Sequence, residues 1–161
     1  MKTILAPIDF SKTCERVVDV AGSLASVLQG KVILLHVVQL PQPSPAFEVE
    51  SDNFPGLSEA LEQTADELLS VYQRRLQERS VPTDTLRLMD HPAQAIVEQA
   101  RKVGAEYLVM GTHGHTAFYD RVLGCVAEEV VRHSPCPIIV VPPFNETLPT
   151  SSQSGALIAS H

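Results

Sequence analysis

Residues 104–114 read Gly-Ala-Glu-Tyr-Leu-Val-Met-Gly-Thr-His-Gly. Gly104 suits the end of a helix, because glycine takes the left-handed conformation at low cost. Glu106 to Met110 reads as a strand buried on both faces. Gly111 and Gly114 follow, and nine residues later comes Gly124-Cys125-Val126. The apolar spacing of Val126, Val130 and Val131 predicts a helix from about Gly124 to His133. A glycine window between a strand and a helix suits an anion site. Backbone amides without a Cβ can approach a phosphate, and the helix N-terminus adds free N–H groups. By its glycines alone the window is equally well read as an ordinary turn.

The pattern continues on both sides of this window. Thr3 to Ile8 is an apolar run ended by Asp9, and Ser11 offers an N-cap for a helix that carries Val18, Ala21, Leu24, Ala25 and Leu28. Gly30 fits the stop of that helix, and Lys31 to Val38 is a second strand. Residues 39–56 hold Pro41, Pro43, Pro45 and Pro55 and read as a long loop, functional or mobile. Leu61, Ala65, Leu68, Tyr72 and Leu76 mark a second helix ending near Ser80, with Tyr72 in its core face. Thr85 to Met89 is the third strand. Asp90-His91-Pro92 opens a third helix, with Pro92 at its first position. Ile138 to Val141 is the fifth strand, bracketed by Pro137 and Pro142. Residues 143–161 have no period and read as a flexible tail. Alternating strands and helices predict a parallel sheet with helices on both faces. Ligands of such sheets bind beyond the carboxyl ends of the strands, where strand order reverses.

Composition removes several functions. The 161 residues carry a net charge of −7, which opposes a nucleic-acid partner held by phosphate neutralisation. Aromatics are 5% and Trp is absent, so base-stacking platforms are not expected. No apolar run reaches ~18 residues, so no membrane span is expected. The start is too quickly polar for a signal peptide. The odd set of Cys14, Cys125 and Cys136 predicts free thiols in a reducing cytoplasm. Walker, dinucleotide, nucleophile-elbow and kinase signatures are missing.

The chain resembles the universal stress proteins over about residues 1–142. The resemblance is carried by Ile4-Leu5-Ala6-Pro7-Ile8-Asp9-Phe10-Ser11, by His36-Val37, by residues 104–114, and by His133-Ser134-Pro135-Cys136-Pro137-Ile138-Ile139-Val140-Val141. It implies a Rossmann-like five-stranded parallel sheet ordered 3-2-1-4-5 in a cytoplasmic protein that is commonly a homodimer, here through strand five. Some members bind ATP through G-x2-G-x9-G-[ST], with Mg2+ only alongside the nucleotide, and others bind none. Carried over, the nucleotide-binding positions are Pro7, Asp9, Val37, Met110, Gly111, His113, Gly114, Gly124, Cys125 and Val126. Asp9 would meet the nucleoside, the Val37 backbone the adenine, and the Val126 N–H the phosphate. Cys125 departs from the motif, which asks for Ser or Thr; a thiol is a weak donor and a thiolate would repel phosphate.

The remaining candidates read more simply as structure. His36, His113 and His115 match no standard zinc spacing. Cys14 and Cys136 read as buried apolar fillers, Arg121 as a surface cation, and Glu128-Glu129 as a solvated helix face. No nucleophile is paired with a positioned base, so an enzyme is not expected. The leading expectation is a stress-responsive ATP-binding protein. The alternatives are a dimeric interaction module without nucleotide and a thiol redox sensor using Cys125.

Overall fold

A computed structural model describes residues 1–39, 57–112 and 123–143. The proline-rich segment after Gln39, the residues His113, Gly114, His115 and Arg121, and the expected tail beyond Pro143 lie outside these residues. The order of elements is β1 (Thr3–Pro7), α1 (Cys14–Leu28), β2 (Lys31–Val38), α2 (Leu57–Gln77), β3 (Thr83–Met89), α3 (Pro92–Lys102), β4 (Tyr107–Gly111), α4 (Cys125–His133) and β5 (Ile138–Val141). The strands form one parallel sheet in the order β3-β2-β1-β4-β5.

Alternation along β1 builds both faces of the core. Ile4, Ala6 and Ile8 pack with Val17, Val18 and Ala21 of α1 and Leu69 and Leu76 of α2. Leu5 points the other way, into a cluster with Ile96, Val97 and Ala100 of α3 and Ala127 and Val130 of α4. Successive Cβ atoms of a strand point to opposite faces, so one strand seeds two hydrophobic layers. Ile4, Leu5, Leu34, Leu35 and Leu108 are fully buried, each such side chain contributing roughly 1.5–3 kcal/mol.

Several boundaries differ from the sequence reading. α2 begins at Leu57, directly after the expected loop, and β3 at Thr83, two residues before the expected Thr85. Helix α1 has Thr13 at its N-cap and no side-chain cap; the Ser11 N–H is instead taken by Asp9 Oδ1 at 3.0 Å. The left-handed residue after α1 is Gln29 (φ 51°), so Gly30 is not the stop. A Cβ on Gly30 would lie 2.4 Å from the Lys2 carbonyl oxygen, which explains the glycine as close approach to β1. Gly104 does serve as expected, with φ +59° just past α3.

Candidate functional site

The direction of the backbone groups shows where the sheet opens. Lys31 N–H donates to Lys2 O and Ile8 N–H to Leu35 O, so the even residues of β1 face β2. Glu106 N–H donates to Thr3 O, so the odd residues face β4. Pro7 is therefore on the β4 side, and it has no N–H to give. The β1–β4 ladder accordingly runs only through Ile4–Tyr107 and Leu5–Leu108, although β1 continues to Pro7 and β4 to Gly111. The β1–β4 ladder thus ends at Leu5–Leu108, beside the topological switch point, where open α/β sheets hold their ligand crevice.

The same parity aims backbone groups at this crevice. Leu108 N–H donates to Pro137 O and Thr112 N–H to Val141 O, so the even residues of β4 face β5. Gly111, an odd residue, faces β1. In β2 the odd residue Leu35 accepts from Ile8, so the N–H and C=O of Val37 also face the β1 side, one step past the last rung. Met110 is buried under the crevice in the α3–α4 layer. Gly124 N–H donates to Thr112 O at 2.8 Å, which fixes the start of α4 beside the end of β4. Among the described residues no side chain caps the first turn of α4, and Cys125 and Val126 in it are exposed. Its amides and the helix dipole provide positive potential at this point.

The β1 exit is built from side chains. Phe10 has φ 61°, a left-handed conformation unusual for a bulky residue. Its ring lies 4.4 Å from His36 and stacks near-parallel on Tyr72 at 6.5 Å. His36 Nδ1–H donates to Ile8 O at 2.9 Å. The zinc reading of His36 thus gives way to a packing role, since its ring is held by Phe10 and by the β1 backbone. Asp9 Oδ1 accepts from Ser11 N–H at 3.0 Å and from the Cys14 thiol at 3.3 Å. Cys14 is therefore more than a filler. Burial foremost, and the neighbouring Asp9 charge, push its thiol up to about 11. Burial likewise raises the Tyr72 phenol. The Phe10 turn and the Cys14–Asp9 bond were missed in the sequence, because both depend on the left-handed fold-back after Asp9.

The crevice thus brings together Pro7, Asp9, Val37, Gly111, Gly124, Cys125 and Val126 from the strand ends and the α4 start. Two cavities among the described residues lie elsewhere. One of about 520 Å³ is lined by Glu59, Glu62, Asp66, Glu67 and Arg87 on α2 and β3. Four carboxylates there repel phosphate, and Arg87 already bridges Glu62 at 2.6 Å and Asp66 at 2.9 Å. The other, about 280 Å³, lies at the opposite end of the sheet by Met1, Gly30 and Pro82. The candidate site is drawn from the backbone geometry, which explains why the β1–β4 ladder stops at Leu5 and Leu108.

The profile of the universal stress protein family matches residues 1–142. The chain belongs to this family. Universal stress protein MJ0531 of Methanocaldococcus jannaschii is 32% identical over 140 residues, covering 87% of this chain and 81% of the relative. The solved structure of MJ0577, a universal stress protein of the same organism, superposes with a TM-score of 0.77 at 27% identity, covering 89% of this chain and 97% of that one. A universal stress protein solved in complex with cAMP superposes with a TM-score of 0.65 at 24% identity, covering 89% and 98% of the two chains. The fold expectation, including strand order, is therefore met. No helix of the described residues is long and apolar enough to cross a membrane.

Proposed function

We propose that this universal stress protein binds an adenine nucleotide, ATP in the first instance, in the crevice between β1 and β4. The observation that carries the reading is the end of the β1–β4 ladder at Leu5 and Leu108, with the backbone groups of Gly111 and Val37 facing the switch point and the first turn of α4 beside it. Asp9 is the carboxylate that would accept from ribose hydroxyls. The Val37 backbone offers one donor and one acceptor, the complement of an adenine edge. The amides of Gly111 and the α4 first turn take the phosphates. The cAMP complex belongs to that neighbour, and a nucleotide bound to a protein of this fold supports the reading. Among the described residues no three His, Cys, Asp or Glu side chains gather to hold a metal. Mg2+ would then arrive with the nucleotide, held largely by phosphate oxygens.

The role is binding rather than turnover. The buried thiol beside a carboxylate, Cys14, is held in its protonated form and makes a poor nucleophile. The reading also carries a cytoplasmic setting, in line with free Cys14, Cys125 and Cys136. Calorimetry with ATP tests it. Saturable binding to the wild type, weakened in Gly124→Val, is expected. Gly124 has φ −71° and ψ 164°, a backbone conformation open to valine, whose branched side chain would crowd the phosphate. No heat of binding in the wild type contradicts the reading.

We propose in addition that two copies pair through β5. This strand is a sheet edge, and Ile138, Ile139 and Val140 are only half-buried. An apolar edge invites a second copy about a twofold axis. Light scattering should give a dimer for the wild type and a monomer for Val140→Lys; a monomeric wild type at micromolar concentration removes the pairing.

A further inference from the structure

Asp9 leaves β1 at the mouth of the crevice, and its carboxylate bends back toward the start of α1. Phe10 makes that bend, with φ 61° and its ring fixed against His36. Two donors then converge on one carboxylate oxygen: Ser11 N–H at 3.0 Å and the Cys14 thiol at 3.3 Å. The two differ in origin. Ser11 belongs to the turn itself, whereas Cys14 is the first residue of α1 and only 2% exposed, locked in the core with Ile8, Val17 and Val18. Its Sγ also lies 3.9 Å from Ser11 Oγ.

We infer that Cys14 is a positioning residue: its buried thiol ties the Asp9 carboxylate to the rigid end of α1 and so presets it for the nucleoside. This rests on the nucleotide reading above. The thiol suits the place for two reasons. A thiol costs less to bury than a hydroxyl, because it is the weaker hydrogen-bonding group. Burial and the adjacent carboxylate also keep the proton on sulfur, with the thiol pushed up to about 11, so the donor persists through the neutral range. A deprotonated sulfur would repel Asp9 instead of holding it. The Asp9 oxygen that receives these bonds is fixed before any ligand arrives, which lowers the ordering cost of binding.

The test compares the full-length wild type with Cys14→Ala and Cys14→Ser by calorimetry. AMP reads the nucleoside side, and inorganic tripolyphosphate reads the phosphate side alone. Cys14→Ala should weaken AMP by about three- to tenfold, the range of one modest hydrogen bond, and leave tripolyphosphate unchanged. Cys14→Ser restores a donor and should recover AMP affinity to within about twofold of wild type. The pair Cys14→Val and Cys14→Thr, alike in shape and differing in the hydroxyl, repeats the comparison should the smaller side chain prevent folding. Wild type that binds AMP, with Cys14→Ala binding it equally well, overturns this inference alone. Equal losses for AMP and tripolyphosphate also overturn it, since a merely structural role loosens both sides. Wild type that binds neither probe overturns the nucleotide reading and this inference with it.

Discussion

The two strand ends that frame the crevice are built by opposite means. At the exit of β1 the chain is held by side chains: Asp9 by Ser11 and Cys14, Phe10 by His36 and Tyr72, His36 by the Ile8 carbonyl. At the exit of β4 the bonds between described residues are backbone ones, Thr112 N–H to Val141 O and Gly124 N–H to Thr112 O, and the side chains of Cys125 and Val126 face outward. The difference matches two recognition problems. A nucleoside has a particular edge and hydroxyl pattern, so the groups that meet it must be aimed. A phosphate is a diffuse anion, and uncapped amides with a helix dipole satisfy it without aimed side chains. Substitutions at the β1 exit should therefore change selectivity, whereas those at the β4 exit should change affinity for any phosphate.

The largest effect expected concerns stability at the β1 exit. The folded protein holds the Cys14 proton more tightly than the unfolded chain, with about 11 against 9.0. The associated stabilisation is complete below pH 9 and is lost as the pH rises through 11. Two units correspond to on the order of 2–3 kcal/mol. Urea unfolding of wild type and Cys14→Ser between pH 8 and pH 11, as a difference, isolates this thiol; Tyr72, also raised chiefly by burial, titrates in both and cancels. Parallel curves for the two proteins would deny the Cys14 environment described.

Next in size, Asp9→Ala should cost AMP roughly 10- to 100-fold in affinity, as loss of a charged hydrogen-bond partner does. Tripolyphosphate binding should hold or improve slightly, since a negative charge leaves the crevice. A uniform loss for both ligands would erase the proposed division between the two exits. The smallest effect is at the β4 exit. Cys125→Ser exchanges a weak donor for a good one at the first turn of α4, and should tighten ATP by about tenfold or less. Equal affinity in Cys125→Ser would mean that the phosphate is served by amides only, which sharpens the contrast rather than blurring it.

The fold was readable because β1, β4 and β5 and most of β2 are apolar runs and α1 and α3 keep an apolar period. Boundaries failed where one local interaction outbid another. The turn that follows Asp9 delays α1 to Cys14, so Thr13 and not Ser11 stands at its N-cap. Gln29 took the left-handed turn because Gly30 was needed against the Lys2 carbonyl. Val126 and Val131 resemble core residues in sequence but are 39% and 44% exposed, because the short α4 buries only Ala127 and Val130. The glycine pattern at Gly111 and Gly124 was visible in the sequence, as was Asp9. The opening itself was not: Pro7 ends the ladder only because its parity puts the missing N–H on the β4 side, and parity is a property of pairing. Cys14 and Phe10 were equally hidden, since five residues of sequence separate Asp9 from its thiol partner and a left-handed bend brings them together.

The central claim is one of location, and amide chemical-shift mapping tests it most directly. ¹⁵N-labelled wild type titrated with ATP should show its largest shifts at Ser11, Val37, Gly111 and Val126, with Arg87 and Asp66 at the acidic α2–β3 groove unmoved. Shifts centred on that groove, or no saturating shifts at the ends of β1 and β4, would contradict the account.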